Sequence, residues 1–158
     1  MAVPLAERIM TKLEHAAELY HRLVVLVAPA GAGKTAALQE VQRSTNAPLL
    51  NVNLEVSRIM LDLTERQRAL QLPRLLSQIV NASTSDVLLL DNIELLFDVS
   101  LKQDPLRLLQ GLSRNKTLVV AWSGLIDAES LMYATPDHPE YRRYPLQDIL
   151  AVIPEGTA

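Results

Sequence analysis

The chain has no cysteine, which excludes disulfides, thiolate zinc sites, iron–sulfur clusters and a cysteine nucleophile. Its three histidines, His15, His21 and His138, include no pair at metal-ligand spacing on one helix face, so a histidine-built metal site is not expected. No long hydrophobic run is present: the most apolar stretch, Leu23 to Ala30, has eight residues, against the ~20 needed to cross a bilayer. No basic segment followed by an apolar one opens the chain, so a cytoplasmic protein without a membrane partner is expected. Excess positive charge is also missing. Lys+Arg number 15 against 18 Asp+Glu, a net charge of -3, which argues against a protein-wide basic field for nucleic acid while leaving room for a local stripe. Aromatics make up 4% and glycines number only five, so two glycines spaced as closely as Gly31 and Gly33 stand out.

What remains is a chain of 158 residues, 49% apolar and 21% charged. That is one domain's worth of sequence, able to bury about 68–70% of its unfolded surface without staples. It is read as a single domain over 1–158, with an N-terminal helix within 1–20, a core over 21–146 and a short C-terminal tail over 147–158.

Leu5, Ile9, Leu13, Ala16 and Tyr20 recur at three- and four-residue steps, which predicts an amphipathic helix over 4–20. Leu23 to Val27 is β-branched and continuously apolar, the pattern of a central parallel strand covered on both faces. A loop over 28–33 and a helix over 34–43 follow, then a short strand over 49–53. Thr64 and Gln67 have capping-box spacing. Pro73 is expected to open a second helical segment reaching Val80, because proline suits the first helical position. Val87 to Asp91 and Thr117 to Trp122 read as the third and fourth strands, with a helix from Pro105 to Leu112 between them, capped by Asp104. Tyr141 to Leu146 is expected as a fifth strand and Gln147 to Ile153 as a helical turn. Strands alternating with helices predict a mostly parallel sheet flanked by helices.

Ala28-Pro29-Ala30-Gly31-Ala32-Gly33-Lys34-Thr35 matches the phosphate-loop pattern except for Ala at its first position. Glycines at 31 and 33 let the backbone curl so that successive N–H groups form a nest for phosphate oxygens, reinforced by the positive end of the following helix. The nucleotide contacts expected from this run from Pro29 and Ala30 through Gly31, Ala32, Gly33, Lys34 and Thr35 to Ala36. Lys34 would reach the β- and γ-phosphates, and the Thr35 hydroxyl would ligate Mg²⁺. Ala28 costs little if its φ is negative. An apolar strand before the motif and a helix after it set it apart from a chance Gly-Lys-Thr.

Asp91 is expected at the carboxyl end of a buried strand, where ligands of parallel α/β sheets bind, and can hold Mg²⁺ as a Walker-B Asp does. Hydrolysis also needs a water-orienting group. The position after Asp91 is Asn92 rather than Glu, so the candidates are Glu94 and Glu55, each of which is otherwise a surface charge. Ser123, at the end of the fourth strand, is placed to sense the γ-phosphate, while Trp122 reads as packing or a base-stacking surface. Eleven of the fifteen basic residues are arginine, a bias that suits bidentate phosphate contacts. Arg114, Arg142 and Arg143 are candidates for a finger reaching nucleotide on a neighbouring subunit, with surface ion pairs as the alternative. Asn115-Lys116-Thr117-Leu118 lacks the Asp of a guanine-reading motif, so ATP is expected rather than GTP.

Ala28 to Thr35, Leu88-Leu-Leu-Asp-Asn-Ile-Glu94 with Leu95-Leu-Phe97, Leu112-Ser-Arg-Asn115 before Thr117 to Trp122, and His138-Pro-Glu-Tyr141 together resemble BrxF, the small P-loop protein of type 3 BREX phage-defence systems. The resemblance runs over nearly the whole chain. It implies a three-layer P-loop NTPase fold with a mostly parallel five-stranded sheet, AAA+-like but without a helical lid domain. It further implies a bacterial cytoplasmic component of defence against phage that works beside other BREX proteins. The residues themselves point to a chain that binds ATP with Mg²⁺, hydrolyses it slowly, and changes its self-association as a homo-oligomer or its partner contacts with nucleotide state. DNA contact is likewise an implication of the resemblance alone. A nucleotide-binding scaffold without turnover and a small-molecule kinase are the alternatives; the second would need an arginine-rich lid.

Overall fold

The computed structural model describes residues 4–147 and 149–154. Leu5–Ala16 forms α1, which buries Ala6, Ile9 and Ala16. The helix stops four residues short of Tyr20 because residues 17–20 are exposed and have no core face to bury. Leu23–Ala28 is β1, with every residue buried, and Lys34–Thr45 is α2. Leu49–Asn51 is β2. The second strand ends at Asn51, where the side chain accepts from the Leu54 N–H at 3.0 Å and caps a helix that the sequence reading missed, α3 over Val52–Met60.

Glu65–Asn81 is α4, opened by the expected capping box between Thr64 and Gln67. Pro73 lies inside this helix and does not start a second segment. Proline has no N–H to give the carbonyl four residues back; Gln103 supplies it instead, its Nε2 donating to the Ala69 carbonyl at 2.8 Å. Val87–Asp91 is β3, followed by two single-turn 3₁₀ helices, Glu94–Phe97 and Val99–Leu101. Pro105–Leu112 is α5, capped by Asp104 as expected.

The fourth strand, β4, runs over Thr117–Asp127, five residues past Trp122. Its outer half pairs antiparallel with β5, Ser130–Tyr133, which in turn pairs with β6, Arg142–Pro145. The stretch expected as a fifth parallel strand is therefore the last strand of this antiparallel extension. The fifth parallel strand is β7, Leu150–Val152, beside β1. It replaces the helical turn expected over 147–153 and draws the presumed tail into the sheet, since β1 needs a ladder partner on its second edge. Residues 148 and 155–158 of that stretch, like 1–3 of the N-terminal one, lie outside the described residues.

The sheet order is β2-β3-β4-β1-β7, with parallel pairing at every step and β5 and β6 attached through β4. Val25 and Val27 point into a core shared with α3, α4 and α5, whereas Val24 and Leu26 point into one shared with α1 and α2. This accounts for the unbroken apolar run of β1: alternate residues serve opposite layers, and each buried Val or Leu contributes about 1.5–3 kcal/mol. The chain is thus an α/β protein with a mostly parallel sheet covered by helices on both faces.

Candidate functional site

The carboxyl ends of β1, β3 and β4 open onto a cavity of about 330 Å³ lined by Ala30, Gly31, Gly33, Lys34, Thr35, Asp91, Asn92, Glu94, Ala121 and Ser123. Register puts these ends level, with Ala28 opposite Ser123 and Asn51 opposite Asp91. The link from β1 to α2 is made possible by Gly31 at φ 79° and Gly33 at φ 92°, left-handed values that a side chain would resist. Ala28 is not among the positive-φ residues; it ends β1 in an ordinary conformation, so its Cβ is tolerated at the motif's first position. Gly33 is the N-cap of α2 and no side chain caps that helix, which leaves first-turn N–H groups without an intrahelical partner at the cavity wall.

Lys34 is buried and folds back so that Nζ donates to the carbonyls of Ala28 and Pro29, both at 2.8 Å. Burial holds its pKa below the usual lysine value, while the charges of Glu94 and Asp91 pull the other way. Thr35 Oγ1 donates to Asp91 Oδ2 at 2.6 Å. The second oxygen of Asp91 accepts from the Asn92 N–H at 2.9 Å. A cation, a hydroxyl and two carboxylates thus meet beside the α2 N-terminus, which has no side-chain cap, an arrangement suited to an anion accompanied by a hard metal ion.

Of the residues expected in a site, Ala30, Gly31, Gly33, Lys34, Thr35, Asp91, Glu94 and Ser123 share this cavity. Pro29, Ala32 and Ala36 belong to the same loop and first helical turn without lining it. Glu55 sits in the first turn of α3, outside the lining. Arg114 precedes β4 at the opposite, amino end of the sheet; its guanidinium lies 4.6 Å from the Tyr20 ring centroid. Arg142 donates to the Gln103 carbonyl at 2.7 Å and Arg143 to Ser130 Oγ at 3.0 Å. Trp122 is fully buried, so of its two readings packing holds. Lys116 also lies at the amino end, where Nζ donates to the carbonyls of Ser83 and Ser85, away from any nucleotide-reading position at this cavity.

No family model matches the chain, and no curated protein matches it significantly.

Two asparagines belong with this cavity although the sequence pattern did not single them out for it. Asn92 has φ 54°, a left-handed value asparagine tolerates better than most residues, and its carbonyl accepts from the Asn53 N–H at 2.8 Å. Asn53 Oδ1 accepts from the Leu95 N–H at 2.8 Å, so the start of α3 holds the turn that carries Glu94. The detectable signal was an asparagine immediately following the strand-end Asp91. A larger cavity, about 540 Å³, is lined by residues that include His15 and His21 and none of the 28–35 loop. Among the described residues no helix is long and apolar enough to cross a membrane.

Proposed function

We propose that the chain is a P-loop NTPase that binds ATP with Mg²⁺ and hydrolyses it slowly. The observation that carries this reading is the convergence of left-handed Gly31 and Gly33, buried Lys34, and the Thr35–Asp91 pair on one cavity at the strand ends. The Gly31–Thr35 backbone and Lys34 bind phosphate oxygens. Thr35 and Asp91, oxygen donors on adjoining elements, are the residues that would hold Mg²⁺, whose bound form neutralises charge developing on the phosphates. Glu94, on the cavity wall, orients the attacking water in preference to Glu55. Ser123 stands where β4 passes between β1 and β3, which suits a residue touching the terminal phosphate. The strand order β2-β3-β4-β1-β7 supports an AAA+-like arrangement of this site.

Arg114, Arg142 and Arg143 lie off the cavity of their own chain, so an arginine contact to nucleotide requires a neighbouring copy in a homo-oligomer. The resemblance to BrxF extends the proposal to a cytoplasmic role in BREX defence alongside other BREX proteins, with DNA as a further partner. Asn92, where a fused Asp-Glu pair would carry its Glu, favours a second reading, binding without turnover.

A thermal-shift titration with ATP·Mg²⁺ tests binding, because a ligand at 100 times its Kd stabilises by about 2.7 kcal/mol. Phosphate release separates the two readings. No shift in the wild type, or an equal shift in Lys34→Ala, contradicts both.

A further inference from the structure

Glu94 and Phe97 begin and end one 3₁₀ turn. Glu94 faces the cavity, whereas Phe97 is buried and lies flat on Tyr133 of β5, with ring centroids 3.5 Å apart and planes within 7°. Trp122 closes the cluster edge-on, 5.1 Å from Phe97 and 6.1 Å from Tyr133. Its indole N–H donates to the Met132 carbonyl at 3.1 Å, which fixes the strand that presents Tyr133. A turn this short has little stiffness of its own, so its place is set by what it packs against. Asn53 holds its backbone at Leu95; the flat contact with Tyr133 holds its far end.

We propose that Tyr133 is a positioning residue for Glu94: through Phe97 it clamps the turn that aims the carboxylate into the cavity, making the β4–β6 extension a working part of the site. The inference rests on the nucleotide reading for its catalytic consequence and on the aromatic stack for its structural one. Misplacing a reacting group by about 1 Å costs up to 10²-fold in rate.

The test compares wild type, Tyr133→Phe, Tyr133→Leu and Tyr133→Ala in the full chain. Single-turnover ATP cleavage, ATP·Mg²⁺ affinity and hydrogen exchange over residues 30–38 and 93–98 are measured for each. Phenylalanine keeps the flat ring and is expected to retain the wild-type rate. Leucine and alanine are expected to slow cleavage about tenfold at unchanged Kd, the signature of a group needed in the transition state rather than for binding. They should also speed exchange over 93–98 while leaving 30–38 unchanged. Wild-type cleavage and wild-type exchange in Tyr133→Leu would overturn the proposal, and so would equal exchange gains in both segments. A wild-type chain that cleaves no ATP would end the hydrolysis reading and leave the exchange comparison to decide the role of Tyr133.

Discussion

Thr35 and Asp91 are 56 residues apart in sequence, yet Thr35 Oγ1 donates to Asp91 Oδ2 at 2.6 Å. This contact joins the helix after β1 to the end of β3, and on the proposed reading these two oxygens would hold Mg²⁺. Asp91→Asn removes the charge and keeps the shape. It is expected to weaken ATP binding about tenfold in the presence of Mg²⁺, about 1.4 kcal/mol, with little change in EDTA. Calorimetry in the two buffers checks this, and an equal loss in both would place Asp91 outside the metal site.

Lys34 carries a pH signature. Burial lowers its pKa from 10.5, so between the lowered value and 10.5 the unfolded chain holds more protons than the folded one. Stability from this group therefore rises with pH across that window, and below the window its full desolvation cost is present. Lys34→Met is expected to raise the Tm of the nucleotide-free protein at pH 7, with the gain shrinking as pH approaches 10.5. A gain independent of pH would contradict the cause assigned to the shift.

Gln103 and Pro73 form a compensating pair, since the Gln103 side chain serves the Ala69 carbonyl that proline leaves without a helix donor. Gln103→Leu is expected to cost about 1–2 kcal/mol, as losing a hydrogen bond to a partly buried carbonyl does. Pro73→Ala restores a backbone N–H and should recover much of that loss. A double-mutant cycle by urea unfolding measures the coupling, and additive effects would contradict it.

Gly124 stands where β4 leaves the parallel sheet. A Cβ there would overlap the Met132 carbonyl oxygen and lie 2.9 Å from Trp122 Nε1. Gly124→Ala is expected to destabilise by about 1–3 kcal/mol, lowering Tm by roughly 2–4 °C for each kcal/mol. Emission of Trp122, the sole tryptophan, should change with it. Unaltered emission and Tm would mean that the extension packs differently.

The parallel core was legible because its signal is local: β1 and β3 are unbroken apolar runs, and Thr64, Gln67, Asp104 and Pro105 spell out helix starts. The left-handed turn after β1 was legible for the same reason, since closely spaced glycines at 31 and 33 mark where positive φ is tolerated. Elements decided by long-range pairing were not. Leu150–Val152 becomes a strand only because β1 offers a free edge, and β4 overruns Trp122 only because β5 is there to receive it. Pro73 stays helical only because Gln103, 34 residues beyond Ala69, reaches its carbonyl. That Glu94 lines the cavity and Glu55 does not became visible only once the turn after Asp91 had a direction, which Asn53 and Phe97 give it.

Glycine amides provide the most direct measurement of the central claim, because the chain has only five glycines and two of them form the proposed phosphate nest. Nitrogen–proton correlation spectra recorded during an ATP·Mg²⁺ titration should show Gly31 and Gly33 shifting together to saturation while Gly111, on α5, stays still. Stationary Gly31 and Gly33 signals, with or without movement at Gly111, would contradict nucleotide binding at this loop.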